Sequence, residues 1–199
     1  MTPEQARTAL VQGNLRFVEG RPEHPRAGAD RRRETVEQGQ HPLAVVVGCS
    51  DSRAPLELLF DQGVGDLFVV RSAGHVLDAI GLASVEYAVD HLEAPLVVVL
   101  GHSRCGAITA AVQGGAAHGH LPELLGRLSP AVLQARTQDP GAEGEALVVR
   151  AIQAQVELTA RQVQDDCELV RKAVRSGACR VVGAIYDLAS GRVAWLQAR

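Results

Sequence analysis

The chain has 199 residues, 46% of them hydrophobic but only 3% aromatic, so one domain is expected, with a core built from Val, Leu and Ala. A net charge of −3 excludes an electrostatic nucleic-acid surface, and the Arg31-Arg32-Arg33 run, flanked by Asp30, Glu34 and Glu37, reads as a solvated helix face. No apolar stretch approaches the ~18 residues of a membrane span and no basic-then-apolar leader opens the chain, so a cytoplasmic protein with no membrane or nucleic-acid partner is expected, its four cysteines thiols or metal ligands.

Thr2-Pro3-Glu4-Gln5 reads as a helix start. Thr2 caps, Pro3 suits the first helical position and Gln5 completes a capping box. Leu10, Val11, Leu15 and Val18 follow at helical spacing. Residues 20–42 are polar and punctuated by Pro and Gly, with room for a short helix around 29–38; residues 1–40 are thus expected to form a helical arm on a single domain spanning 1–199. Four Val-rich runs follow: Leu43–Val47, Leu67–Val70, Leu96–Leu100 and Val181–Ile185. They do not alternate, which is how strands covered on both faces of a parallel sheet read. Helices are predicted at Ile80–Leu92 and Cys105–Val112. An apolar stripe from Val148 through Ile152, Val156, Val163, Cys167 and Val174 predicts one long helix over about 143–176. Ser129-Pro130 reads as a helix start. Gly114–His120 reads as a flexible loop whose His118 and His120 lack a third metal-binding partner, and Gly191–Leu196 as a last strand. Cys167 and Cys179 are expected in the core. Strand–helix alternation predicts an α/β fold with a mostly parallel β-sheet flanked by helices.

Two strand ends carry chemistry. In "VVVGCSDSRAP" (Val45–Pro55) the run stops at a glycine and Cys49, Asp51 and Arg53 follow; in "LVVVLGHSRCGA" (Leu96–Ala107) a second Val-rich strand stops at a glycine, before His102 and Cys105. Sites in open parallel sheets form beyond the carboxyl ends of strands where strand order reverses. If these strands are neighbours there, Cys49, His102 and Cys105 converge as a soft three-ligand set suited to Zn2+, with a fourth position left for chemistry. The plain alternative is two strand–turn–helix corners with buried cysteines.

The wider pattern resembles the β-class carbonic anhydrases. It comprises "GNLRF" (Gly13–Phe17), "CSDSR" (Cys49–Arg53), "FDQGVGDLFVVRSAGH" (Phe60–His75), "SVEYAV" (Ser84–Val89), "GHSRCGA" (Gly101–Ala107) and "GAIYDLASGRV" (Gly183–Val193). The resemblance implies four parallel strands plus an antiparallel edge strand. It also implies a homodimer, often paired into a tetramer, whose N-terminal helix embraces the partner. The implied activity is reversible hydration of CO2 to bicarbonate through zinc-bound hydroxide; the alternatives are a carbonyl sulfide or carbon disulfide hydrolase on the same scaffold and a non-catalytic zinc-binding relative.

Carried over by residue, Cys49, His102 and Cys105 are the zinc ligands. Asp51 and Arg53 form the catalytic dyad, Asp51 orienting and gating and Arg53 latching it in a two-pronged pair. A structural salt bridge is the plain reading of that pair. Gln40, Phe68 and Tyr87 line the substrate pocket, the two aromatic residues from across the dimer interface; loop and core roles are the alternatives. Gly74, with Ala73, lets the chain pass close to the metal. His75, where many members carry asparagine, is either a proton shuttle at the site mouth or a surface histidine. Val46 stands where a branch with a second, non-catalytic bicarbonate pocket carries tryptophan, so that pocket is not expected although Arg71 and Tyr186 are kept.

Overall fold

The structure, a computed structural model, describes residues 1–197. In chain order the elements are α1 (Pro3–Val18), α2 (Ala29–Gln38), β1 (Ala44–Cys49), α3 (Leu56–Leu59), β2 (Leu67–Ser72), a 3-10 turn (Ala73–His75), α4 (Ala79–Asp90), β3 (Leu96–His102), α5 (Gly106–Gln113), α6 (Leu121–Gln138), α7 (Gly144–Asp166), α8 (Glu168–Arg175), β4 (Arg180–Tyr186) and β5 (Val193–Trp195). Among the described residues the strands form one five-stranded sheet in the order β2-β1-β3-β4-β5. β1 pairs in parallel with β2 and β3, β3 in parallel with β4, and β5 closes the far edge antiparallel to β4.

The valine runs are split between two core layers by the two-residue period of a strand. Ala44, Val46, Leu96, Val98 and Leu100 face one layer with Leu10, Leu56 and Phe60. Val45, Val47, Val97 and Val99 face the other with Val85, Val156, Val163 and Val170. Both faces are covered, so no polar residue is needed at alternate positions, which is why these segments read as unbroken apolar runs. A third cluster, with Leu128, Ala151 and Ile152, packs beneath the carboxyl ends of β1 and β3.

Helix α1 begins as its sequence dictates: Thr2 accepts from the Gln5 N–H and the Gln5 side chain accepts from the Thr2 N–H. Ala6 and Leu10 are fully buried in the first layer, while Leu15 of the same stripe is 39% exposed. Asn14 locks the helix there, donating to the carbonyls of Leu59 and Gly191 and accepting from the Val193 N–H. α2 has no buried residue and touches the body through Arg31, which donates to the Val64 carbonyl.

Two expectations are corrected. Pro130 does not start a helix but lies inside α6. The carbonyl it deprives of a partner belongs to Gly126, and both residues are exposed, so that carbonyl is not left buried without a partner. The long helix over 143–176 breaks at Cys167, which takes extended angles (φ −96°, ψ 104°) between α7 and α8. The Glu86 carboxylate of α4 accepts from the Leu169 N–H, capping α8 from outside. The apolar stripe runs on through the break because one non-helical residue leaves both helices on the same core layer. The four-residue α3 is too short to produce a helical period. Cys167 and Cys179 are buried, as expected. No helix among the described residues is long and apolar enough to cross a membrane.

Candidate metal centre

Strand order reverses between β1 and β3: β2 lies outside β1, and β4 outside β3. The loops after these two central strands leave a crevice at their carboxyl ends. β1 ends at Cys49, β3 ends at His102, and Cys105 precedes the first turn of α5. The two sulfurs and a ring nitrogen of His102 lie within 4.8 Å of one another, and all three residues are buried.

Each donor is aimed. His102 directs Nδ1 at the Ser103 carbonyl, 2.9 Å away, where it donates as Nδ1–H. This fixes the tautomer that leaves the Nε2 lone pair for a ligand. The Gly74 N–H donates to Cys49 Sγ at 3.3 Å. Gly74 achieves this at φ 62°, and a Cβ there would sit 3.1 Å from the Leu128 side chain, so glycine suits both the conformation and the tight space. Gly101 admits α7 in the same way: a Cβ would sit 2.6 Å from Val156.

The electrostatics are those of a proton-sharing trio. Cys49 and Cys105 are 4.0 Å apart. The hydrogen bond from the Cys105 thiol outweighs burial and pulls Cys49 well below the usual thiol range, while that same contact and then burial push Cys105 up. Burial works to keep His102 neutral, but the negative charge of the neighbouring Cys49 outweighs it and raises its pKa. Among the described residues, the buried side-chain nitrogens and oxygens without a hydrogen-bond partner are His102 Nε2 and both ring nitrogens of His75. A buried donor set of two sulfurs and one unpartnered imidazole nitrogen fits a soft divalent cation such as zinc, which takes the place of the shared protons.

Asp51 stands at the edge of this set, with Oδ2 3.8 Å from His102 Nε2. Arg53 donates to one carboxylate oxygen from Nε at 3.0 Å and from its main-chain N–H at 2.9 Å, and to the other from Nη2 at 2.8 Å. The Arg53 guanidinium holds Asp51 far below the ordinary carboxylate range, against the opposing effect of burial. Arg53 also reaches the Arg104 carbonyl at 3.4 Å, tying the loop after β1 to the loop after β3. The Leu188 N–H donates to Ser103 Oγ and ties that loop to the one after β4. From the other side, Arg71 of β2 donates to the carbonyls of Cys49, Asp51 and Ala54.

The structure thus brings Cys49, His102, Cys105, Asp51, Arg53 and Gly74 together. It does not bring Gln40, Phe68 or Tyr87 to them within one chain. Phe68 pairs with Val45, four register steps before Cys49 meets Ser72, which is about 13 Å along the strands. Tyr87 lies 6.3 Å from Phe68, ring centre to ring centre, and shares a groove of about 470 Å3 with Gln40. The surface reading of His75 is overturned: it is 1% exposed, at φ 46°, and burial pushes its pKa down to about 4. Sequence reasoning missed the loop ties of Arg71, Ser103 and the Arg104 carbonyl, because in each one partner is a main-chain group, which leaves no mark in side-chain pattern.

Similarity to known proteins follows the same residues. A sequence profile described as carbonic anhydrase matches residues 44–193. The chain is 43% identical over 195 residues to a carbonic anhydrase of Mycolicibacterium smegmatis, covering 96% of this chain and 92% of that one. It is 41% identical over 194 residues to carbonic anhydrase 2 of Mycobacterium tuberculosis, covering 96% and 91%. Its fold matches a tetrameric β-carbonic anhydrase of the ascomycete Sordaria macrospora with a TM-score of 0.77 at 29% identity, covering 85% of this chain and 88% of that one.

Proposed function

The chain belongs to the β-class carbonic anhydrase family, and on that premise we propose that it interconverts CO2 and bicarbonate, with one zinc ion per subunit held by Cys49, His102 and Cys105. The observation that carries this reading is the buried set of two sulfurs and an unpartnered His102 Nε2 beside an ionised Asp51 gripped by Arg53. A purely structural zinc site needs no such neighbour.

Zinc in such a set supplies Lewis-acid activation of water near neutral pH. The protein does the rest. The Gly74 N–H steadies the Cys49 sulfur, and the Ser103 carbonyl steadies His102 in its ligating tautomer. Arg53 keeps Asp51 ionised and turned to one orientation. Asp51 accepts a hydrogen bond from the attacking oxygen and so directs its lone pair toward CO2. Asp51 is also the gate and Arg53 its latch: freed from Arg53, the carboxylate competes for the metal.

Gln40, Phe68 and Tyr87 complete the apolar pocket for CO2 in a neighbouring subunit's site, in a homodimer or a tetramer built from two. Their distance from the metal centre of their own chain supports this, as does the fold's likeness to an enzyme described as tetrameric. The cytoplasm is the proposed location, because its reducing conditions keep Cys49 and Cys105 available as metal ligands.

The test is stopped-flow CO2 hydration with zinc quantified on the same sample. One zinc per chain and hydration that rises with pH are expected. Full zinc with no hydration refutes the reading.

A further inference from the structure

Arg71 sits on β2, at an edge of the sheet, one register step before the pairing of Ser72 with Cys49. Its guanidinium crosses to the end of the neighbouring strand. Nε donates to the Cys49 carbonyl at 2.9 Å, and Nη2 donates to the carbonyls of Asp51 at 2.8 Å and Ala54 at 3.2 Å. The Asp51 carbonyl also accepts from the Ala54 N–H at 3.1 Å, so the turn is closed from within and from β2 at once. A planar, permanently charged fork of donors is the side chain that can serve three carbonyls leaving a strand end in different directions.

Asp51 is therefore held in two halves. Arg53 fixes its carboxylate and Arg71 fixes its main chain. We propose that Arg71 is a positioning residue for the reaction: it sets where the Asp51 backbone lies relative to Cys49, and through it where the carboxylate stands at the metal centre. This rests on the carbonic anhydrase reading of the site. It also assigns the guanidinium a ligand. With Nε and Nη2 committed to main-chain carbonyls and Val46 fully buried in the core, Arg71 serves the protein's own loop rather than a bound anion.

A residue that merely stabilised the fold would alter how much protein holds zinc, not how fast each zinc centre works. The experiment therefore measures kcat per bound zinc for R71Q and R71K, with wild type alongside, by stopped-flow CO2 hydration and metal analysis. For R71Q, kcat per zinc falls about tenfold or more while KM for CO2 is unchanged, since the loss of charge-assisted hydrogen bonds acts on aim rather than on the apolar pocket. R71K recovers only part, because one ammonium cannot span three carbonyls. Wild-type kcat per zinc in R71Q overturns the inference, as does a fall in activity matched by an equal loss of zinc. If R71Q does not fold, R71K decides by the same measure. Wild type that holds zinc but does not hydrate CO2 refutes the carbonic anhydrase reading itself, and this inference with it; an active wild type beside an unimpaired R71Q refutes only the role of Arg71.

Discussion

Arg53 engages both carboxylate oxygens of Asp51, one from Nε at 3.0 Å and the other from Nη2 at 2.8 Å, two residues along the same turn. Arg53 is the more exposed partner, at 56% against 16% for Asp51. An exposed ion pair contributes little to stability, so its use lies in aim. Arg53→Ala is expected to fold and keep zinc but lose activity by at least about tenfold at every pH, because the freed carboxylate turns to the metal. Arg53→Lys is expected to recover little, lacking the fork. Hydration rates with zinc content check this, and a fully active Arg53→Ala would leave the pair as a surface salt bridge.

Asp51→Asn separates charge from shape. Asn is isosteric, so zinc content is expected to hold. The side chain no longer attracts Arg53 as an ion, and its amide can turn a donor where the attacking oxygen needs an acceptor. Hydration is expected to drop by about a hundredfold, on the order of a lost charged hydrogen bond in the transition state. A near-normal rate would show that Asp51 only shapes the turn.

Cys49→Ala or Cys105→Ala leaves two protein ligands. Zinc and activity are expected to vanish together, as measured by metal analysis and CO2 hydration on one sample. The fold is expected to persist, since the two larger core layers are filled by other residues and each change removes one small side-chain atom from the third cluster. A variant with full zinc and full activity removes that residue from the ligand set.

The sheet was legible because burial on both faces forces unbroken apolar runs, and the strand ends were legible because glycine followed by Cys49 or His102 is chemically conspicuous. What escaped was of two kinds. The break at Cys167 and the continuation of α6 through Pro130 depend on single backbone positions, to which side-chain periodicity is blind. The placement of His75 depends on tertiary packing: a histidine after Gly74 reads as polar and therefore outward, yet the turn carries it inward beneath Gly101, its Cε1 3.6 Å from where a Cβ would stand.

That burial has a pH signature. The folded pKa of His75, about 4, lies below the ordinary 6.5. Protonation therefore favours the unfolded chain. The effect is absent above the unfolded value and grows as pH falls through the window from 6.5 to about 4, amounting to about 3 kcal/mol of lost stability. His75→Asn, which tolerates a positive φ, is expected to lose less stability than wild type across the same window. Urea unfolding of both proteins checks this; zinc release is common to the two, so the difference isolates His75. Equal slopes would show that His75 does not stay neutral as the pH falls.

Phe68, Tyr87 and Gln40 provide the sharpest test of assembly. Tyr87 is 47% exposed, Tyr87 and Gln40 line a groove on the same chain that the Cys49 centre does not line, and Phe68 packs beside Tyr87. If these side chains act on catalysis at all, they act on a partner's metal centre. A chain carrying Cys49→Ala keeps the aromatic pair but has no centre to serve. A chain carrying Phe68→Ala and Tyr87→Ala keeps the centre but lacks the pair. Each alone is expected to be weakly active or inactive. Mixed and reassembled in equal amounts, half of the dimers contain one of each, and in those dimers one of the two sites is whole, so about a quarter of wild-type activity is expected to return. Recovery scales with exchange of subunits and is followed by sedimentation, where wild type is expected to run above its chain mass of 21.1 kDa. If the trio served its own chain, every site in the mixture would lack either metal or pocket, and mixing would restore nothing.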